Sequence, residues 1–291
     1  MFFPHFWVFE PVKFVSFIHA SNFSCISCNN YVVHLNNDLR LKIVDLAMGA
    51  GEGHIPSSFS IVDIIDHLYG KVLRIQHGQP NDSTQDYFIL SKGHGALALY
   101  VVLNKYGLLS TSDLNSYGQR DSKLGGHPDR VSTEFVEAST GSLGHGFPFA
   151  VGIALGNQVK NYGNRVIALL GDGECQEGSI WEAANIAANQ ALNNLVAVVD
   201  WNESAMQLMP IDKMVEKWES FGWDVVLIDG HSESELQRVL NHELLDSKTK
   251  PYAVIARNIK GKGVPFLEGH GAWHHKIPDS NEYQEILGVL K

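Results

Sequence analysis

The segment from residue 170 to residue 202 contains the clearest signs of chemistry in this sequence. Two short apolar runs each end beside a hard oxygen donor, Asp172 within Gly-Asp-Gly and Asn202 thirty residues later. Mg²⁺ prefers oxygen ligands in an octahedron and often takes some of them from phosphate groups. Flanking glycines let a backbone approach those phosphates closely. The pair therefore predicts a metal and diphosphate site, although Gly-Asp-Gly alone could be a simple turn.

Histidine directly after glycine is the second unusual feature. Six of the fourteen histidines occupy such positions, far more than the glycine content predicts. These residues are His54, His94, His127, His145, His231 and His270. Imidazole suits metal ligation, proton transfer and contact with phosphate. Any single one could be a cap or a surface residue, but the set predicts that turns present imidazoles to a site.

Several familiar sites are missing from the sequence. It contains no His-x-x-His, His-Glu-x-x-His or double Cys-x-x-Cys grouping for zinc, and no Gly-x-Ser-x-Gly nucleophile turn. Neither a Walker phosphate loop nor Gly-x-Gly-x-x-Gly occurs. The chemistry must therefore belong to another class.

Composition narrows the possible partners and the compartment. A formal charge of −10 argues against nucleic acid and anionic membranes, which require a basic surface. No apolar run reaches the roughly 18 residues of a membrane span. Three cysteines, Cys25, Cys28 and Cys175, are too few for a disulfide framework. We expect free thiols in a reducing cytoplasm, with a metal site at the lone Cys-x-x-Cys pair as the less favoured alternative.

Alternating apolar runs and helix-period segments must position these residues. Strands are predicted at residues 87–90, 166–170, 195–200, 225–229 and 252–256. Helices are predicted from Leu35 through Leu46, over 58–68, 95–105 and 178–189, and through Leu236, Leu240 and Leu244. Short apolar strands that alternate with helices indicate an α/β fold, a parallel sheet with helices on both faces. Ligands of such sheets bind beyond the carboxyl ends of the strands, where Asp172 and Asn202 fall.

The first 33 residues differ from the rest of the chain. They are rich in phenylalanine and are interrupted by prolines, and Glu10 and Lys13 break the apolar stretch that a signal peptide needs. We expect residues 1–33 to be a poorly ordered extension, with an export signal as the minor alternative. Residues 34–291 are expected to form one cofactor-binding domain.

The motifs resemble those of transketolases. The segment from Gly171 to Asn202 is similar to the thiamine-diphosphate fingerprint that transketolases share with 2-oxo-acid dehydrogenases. The more specific segments are Gly-His-Ile-Pro at 53–56, Leu-Ser-Lys-Gly-His at 90–94, Gly-His-Pro at 126–128, Ser-Thr-Gly-Ser-Leu-Gly at 139–144, Lys-Gly-Lys-Gly at 260–263 and Trp-His at 273–274. They follow the family order over nearly nine-tenths of the chain.

The resemblance implies a role for individual positions. Asp172, Asn202 and the main-chain carbonyl of Ser204 match ligands of Mg²⁺, for which Ca²⁺ or Mn²⁺ could substitute. The cofactor positions implied are His94, Gly141, Leu143, Gly173, Glu177, Glu182, Asn202 and His274. The positions implied in catalysis, where they would bind sugar hydroxyls and relay protons, are His54, His94, His127 and His274. Glu177 and Glu182 match residues that join the two cofactor sites of a dimer, although a surface role is equally compatible with them.

The resemblance also implies a partner chain. The family takes the glutamate that activates thiamine, and the arginines that bind sugar phosphate, from further domains that this sequence lacks. We therefore expect the N-terminal subunit of a two-chain transketolase, active with a C-terminal subunit that carries the pyrimidine-binding and C-terminal domains, as α2β2. The expected reaction moves a two-carbon ketol unit from a ketose phosphate to an aldose phosphate.

Other interpretations stay open at this point. The chain could be a non-catalytic or regulatory subunit, the α chain of a 2-oxo-acid dehydrogenase, or an enzyme that condenses pyruvate with an aldehyde phosphate. The sequence also departs from the family pattern at His145, at Ile55-Pro56 and at His275, and the loop after Asn202 is short. Of the assigned ligands, the Ser204 carbonyl is the one that the short loop affects.

Overall fold

The computed structural model describes residues 36–75, 84–205, 209–269 and 271–291. All of these residues belong to the compact unit His34–Lys291. The expectations for residues 1–33, for Cys25 and Cys28, for the helix start at Leu35 and for His270 lie outside the described residues.

A five-stranded parallel sheet forms the centre of the fold, in the order β1-β2-β3-β5-β4. Its strands are β1 (Tyr87–Leu90), β2 (Val166–Gly171), β3 (Leu195–Trp201), β4 (Asp224–Asp229) and β5 (Tyr252–Arg257). Every predicted strand is present, with ends that differ by at most one residue. The predicted α/β class is confirmed.

Helices precede, connect and follow the strands. They are α1 (Asn37–Ala50), α2 (Ile55–His67), α3 (Ala96–Lys105), α4 (Thr111–Asn115), α5 (Gly146–Val159), α6 (Gly178–Asn189), α7 (Met214–Ser220), α8 (Glu233–Val239), α9 (His242–Asp246) and α10 (Ser280–Leu290). Within the described ranges, no helix is both long enough and apolar enough to cross a membrane.

Three predicted helices differ from the structure. The helix predicted through Leu46 continues to Ala50. The helix predicted over 58–68 begins at Ile55, where a proline at the second position suits the first turn because its missing N–H has no partner there anyway. The single helix predicted through Leu236, Leu240 and Leu244 is wrong, because the chain leaves the helical conformation at Leu240. Asn241 then accepts a hydrogen bond from Leu244 N and starts α9 as its N-cap.

The central strands β2, β3 and β5 are buried on both faces, which explains the apolar sequence of β2. Ile167 and Leu169 pack into one hydrophobic cluster with α1, α2 and α3. Ala168 and Leu170 face the opposite cluster, which includes α5, α6 and α7. Because successive side chains of a strand point to opposite faces, a strand covered on both faces must be apolar at every position. The first polar side chain, that of Asp172, therefore appears only after β2 has ended.

Candidate functional site

Asp172 lies at the carboxyl end of β2, in a buried position. Gly171 pairs in register with Asp200 on β3, so the residues that follow these strands meet at one edge of the sheet. Asp172 is 4% exposed, and its Oδ1 accepts a hydrogen bond from Gly173 N at 2.7 Å. Its Oδ2 is buried without a hydrogen-bond partner among the described residues. Burial, and then the nearby Asp200 carboxylate, raises the pKa of Asp172.

Asn202, at the end of β3, has a fixed amide orientation. Its Nδ2 donates to Asp200 Oδ2 at 2.8 Å and to Ser60 Oγ at 3.2 Å. Its Oδ1 accepts from Ser204 N at 3.0 Å, which leaves this oxygen a second lone pair. The Ser204 hydroxyl lies 3.5 Å from Asp172 Oδ1, so the three residues predicted to hold a metal are neighbours.

This donor set fits a hard divalent cation. It offers a buried carboxylate oxygen without a partner and an amide oxygen whose orientation is fixed, the ligand types that Mg²⁺ and Ca²⁺ prefer. A bound cation would also remove the unfavourable charge that burial imposes on Asp172. No group of three histidine, cysteine or acidic side chains in the described part of the chain is arranged to hold a metal. An ion here would therefore complete its shell with other oxygens, as a diphosphate provides.

Asp200 and Lys92 form a buried ion pair beneath these donors. Asp200 is fully buried and accepts hydrogen bonds from Lys92 Nζ, Ser60 Oγ, Asn202 Nδ2 and Asn258 Nδ2. The pair neutralises both charges and holds the amide of Asn202 in place. Sequence reasoning missed this network; the only signal was a charged residue at the last position but one of an otherwise apolar strand.

Glu174 is a second buried carboxylate that sequence reasoning did not single out. Its Oε1 accepts from Ser91 Oγ and from Gly144 N at 3.1 Å, and its Oε2 from Gly171 N at 3.3 Å. Burial raises its pKa, although these hydrogen bonds oppose the shift. Glu174 thus joins the loop after β1, the loop before α5 and the end of β2. These three segments carry His94, Leu143 and Asp172.

Four imidazoles gather around His54. The ring centroid of His54 lies 4.6 Å from that of His275, 5.4 Å from His94, 5.5 Å from His274 and 6.2 Å from His127. Because these residues come from distant segments, the fold rather than the local sequence assembles them. Lys260 Nζ lies 2.9 Å from His274 Nδ1 at the edge of this cluster. In the sequence, His275 stands out only as a departure from the family pattern.

Burial and mutual repulsion keep the central imidazoles neutral near pH 7. Burial, followed by His275 and His274, lowers the pKa of His54 to about 4. Burial, then Lys92 and His54, lowers the pKa of His94 well below its ordinary value. Burial, then Lys260, also lowers the pKa of His274. A neutral imidazole both donates and accepts hydrogen bonds, so the cluster can bind hydroxyl groups and exchange protons with them.

A cavity of about 560 Å³ connects the oxygen donors to the imidazoles, a size suited to a cofactor. The predicted residues that line it are His94, Leu143, Asp172, Gly173, Asn202, Ser204 and His274. The predicted residues Gly141, His54 and His127 are not among its lining residues. Gly141 has φ 153°, and a Cβ there would come within 2.9 Å of the His127 ring. Lys92, Glu174 and Lys260 also line the cavity. Lys92 and Lys260 belong to the family-like segments, but no role was predicted for any of the three.

Other predicted residues lie apart from the cavity. Glu177, just before α6, and Glu182, on α6, are exposed on the surface. His145 is exposed, and its Nδ1 lies 3.0 Å from the carbonyl oxygen of Leu143. His231 is buried elsewhere, between Asp63 and the backbone of Ile259. Of the Gly-His pairs in the described residues, three therefore reach the cluster and two do not.

Comparisons with known proteins agree with this geometry. The family model of the transketolase thiamine-diphosphate-binding domain matches residues 33–287. An apulose-4-phosphate transketolase subunit from Actinobacillus succinogenes is 38% identical over 259 residues, which cover 87% of this chain and 93% of that protein. A 6-deoxy-6-sulfo-D-fructose transketolase subunit from a Clostridium species is 34% identical over 247 residues, 83% of this chain and 90% of that protein.

A solved transketolase from Leishmania mexicana superposes with a TM-score of 0.82 at 25% sequence identity. The match covers 89% of this chain and 41% of the Leishmania chain, so the chain spans about two-fifths of that structure. The family model, the relatives and the fold lead to one assignment. The chain belongs to the transketolase family and consists largely of that family's thiamine-diphosphate-binding domain.

Proposed function

We propose that this chain is the N-terminal subunit of a two-chain transketolase that transfers a two-carbon ketol unit from a ketose phosphate to an aldose phosphate. The observation that carries the proposal is the cavity in which the oxygen donors Asp172 and Asn202 share one lining with the imidazoles of His94 and His274, whose pKa values are lowered. A diphosphate site alone would not need the imidazoles. A sugar substrate, whose hydroxyl protons must be moved, does need them.

The metal end of the cavity would anchor the cofactor. Asp172 Oδ2, Asn202 Oδ1 and the carbonyl of Ser204 are the proposed ligands of Mg²⁺, Ca²⁺ or Mn²⁺. Gly173, His94 and His274 would contact the diphosphate, and Leu143 would supply an apolar wall for the rings. Support comes from the unpartnered Asp172 Oδ2 and from the fixed amide of Asn202.

The imidazole end of the cavity would handle the sugar. Thiamine, when bound, supplies the carbanion chemistry that cleaves and forms the carbon–carbon bond. His54, His127 and His274 would bind sugar hydroxyls, and the neutral rings would take and return their protons. Orientation of the hydroxyls and exclusion of water would be the further contributions of this chain.

A separate chain would complete the site. The relatives from Actinobacillus and Clostridium are named as transketolase subunits, and this chain covers 90% or more of each. We infer a partner with the pyrimidine-binding and C-terminal domains, assembled as α2β2, and phosphorylated sugars as substrates. The exposed Glu177 and Glu182 are the proposed contacts near the second cofactor site. The cytoplasmic location stays a prediction from the cysteine content.

Assembly with a partner tests this proposal. The chain is mixed with the candidate C-terminal subunit, thiamine diphosphate and Mg²⁺, and examined by native mass spectrometry and by ketose formation from a phosphorylated donor and acceptor. We expect an α2β2 complex that turns over, and loss of turnover in Asp172→Asn. Cofactor binding in a stable complex without turnover of any donor would instead favour a non-catalytic role. Absence of cofactor binding would reject the proposal.

A further inference from the structure

A buried polar cluster of Arg40, Asp63 and His231 lies behind the cavity without lining it. Arg40 donates to Asp63 through Nη1 at 3.0 Å and through Nη2 at 2.6 Å, and its Nε donates to the carbonyl oxygen of Lys262 at 2.8 Å. His231 Nδ1 lies 2.8 Å from Asp63 Oδ2. Arg40, Asp63 and His231 are each at most 9% exposed. The proposed chemistry uses none of them directly.

The hydrogen bonds of His231 define its tautomer. Ile259 N donates to Nε2 at 3.0 Å, so Nε2 carries the lone pair and the ring proton lies on Nδ1. That proton is donated to Asp63. Burial alone would raise the pKa of Asp63, but hydrogen bonds from His231 and Arg40 hold it well below its ordinary value. Asp63 is therefore a charged acceptor that fixes the orientation of the His231 ring.

Ile259 directly precedes Lys260, and their side chains point in opposite directions. Ile259 is 39% exposed, whereas Lys260 is 5% exposed and reaches His274. The backbone on either side is held by main-chain bonds, from Asn258 N to the Trp201 carbonyl and from Gly261 N to the Pro56 carbonyl. The carbonyl oxygens of Ile259 and Lys260 also accept main-chain bonds, from Lys262 N and Gly269 N. The Ile259 N–H alone is held by a side chain, so mutation can remove that bond.

We propose that His231 is a positioning residue, which holds the backbone at Ile259 so that Lys260 Nζ stays on His274 Nδ1. Donation from Lys260 leaves the ring proton of neutral His274 on Nε2. His274 also faces His275, His54, His94 and the more distant Lys92, so its protonation depends on where Lys260 is held. The consequence for sugar binding rests on the proposed ketol transfer, whereas the positioning itself does not.

Two substitutions distinguish the hydrogen bond between His231 and Asp63 from the one that His231 accepts from Ile259 N. In His231→Asn the amide reaches Asp63 from the Nδ1 position but is too short to accept from Ile259 N. In His231→Gln the longer amide places an acceptor near the Nε2 position. Asp63 keeps its bonds to Arg40 in both variants, so both should fold, and near-ultraviolet circular dichroism checks this.

The measurement is the pKa of His274, followed by NMR on the full chain without partner or substrate. We expect the pKa of His274 to rise in His231→Asn, because Lys260 leaves it, and to stay lowered in His231→Gln. In a Lys260→Met background, His231→Asn should then shift the pKa no further. Equal effects of Asn and Gln, whether both change the pKa or neither does, would overturn the proposal. So would a further shift in the Lys260→Met background.

A second measurement needs no variant. In the wild-type chain, the hydrogen bond from Ile259 to His231 should give a detectable ¹⁵N–¹⁵N coupling and slow exchange of the Ile259 amide proton. Their absence would overturn the proposal even if a variant failed to fold. With the partner chain, we expect His231→Asn to lower kcat about tenfold without weakening thiamine diphosphate binding, and His231→Gln to restore kcat. An inactive wild-type complex would reject the ketol-transfer function but leave the NMR result to decide the positioning role.

Discussion

Lys92 Nζ and Asp200 Oδ2 are 2.5 Å apart, and neither side chain is more than 2% exposed. The pair lies directly beneath Asn202, whose amide it orients through Asp200 Oδ2. Breaking one half of a buried pair leaves the other charge without compensation, a larger cost than replacing both halves. The candidate site therefore depends on a buried ion pair without net charge, whose Lys92 also lines the cavity.

Asp200→Asn should destabilise the protein by about 3–5 kcal/mol, because the Lys92 ammonium stays buried without its counter-charge. The double variant Asp200→Asn with Lys92→Met should regain part of this loss. Urea denaturation of the two variants measures the difference. A double variant less stable than the single one would show that the pair does not determine stability here.

Asp172→Asn should separate metal binding from stability. We expect Mg²⁺-dependent binding of thiamine diphosphate to weaken about 100-fold, since even residues that only support metal ligands affect affinity 10- to 100-fold. The metal-free protein should be no less stable, because burial and Asp200 raise the pKa of Asp172 and its charge opposes folding at pH 7. Calorimetric titration and thermal denaturation measure the two effects. Asp212→Asn, at an exposed position, is the control.

His54 makes stability depend on pH in a defined direction. Its pKa is about 4 when folded and about 6.5 when unfolded, so between these values the unfolded chain binds more protons. The free energy of unfolding should therefore fall as the pH drops from about 6.5 to about 4. His54→Asn should reduce this slope, while His94 and His274, shifted in the same direction, keep part of it. Denaturation at stepped pH, with the exposed His145→Asn as control, tests this expectation, which an unchanged slope contradicts.

Gly93→Ala should disturb the site through the backbone. A Cβ at Gly93 would lie 2.7 Å from Gly141 N and from the carbonyl carbon of Thr140, atoms that cannot rotate away. We expect a loss of about 1–3 kcal/mol in stability, together with weaker cofactor binding because the Leu143 loop moves. Gly163→Ala is the matched control, since nothing lies within 4 Å of its Cβ position. Equal stability of the two variants would show that the close contact is tolerated.

The sheet and its ligand donors could be predicted because their signals are local. A fully apolar run such as residues 166–170 is typical of a strand buried on both faces. Asp172 follows two residues after its end. The break at Leu240 could not be predicted in this way, because the leucine spacing continues through it while Asn241 starts a new helix. Contacts between distant positions left no local pattern either. Lys92 and Asp200 are 108 residues apart, and Ser91 and Glu174 are 83 apart.

The histidines illustrate the same limit. Glycine before histidine predicted imidazoles presented by turns, but the pattern could not distinguish His54, at the centre of the cluster, from His231, which holds a backbone amide. His275 joined the cluster without any glycine before it. The role of each imidazole depends on which element of the fold lies next to it.

The pairing of Gly171 with Asp200 sets the distance between the two strand ends that carry the proposed metal ligands. Adjacent strands lie about 4.8 Å apart whatever their side chains are, because backbone hydrogen bonds set that spacing. Asp172 and Asn202 follow these two strands within two residues, so the distance between their backbones is set by the sheet. Selectivity between a small and a large cation would then depend on the segment after Asn202. This segment carries the Ser204 carbonyl, the proposed ligand that does not directly follow a strand. Exchange of that loop between relatives would be a route to changing metal preference without disturbing the fold.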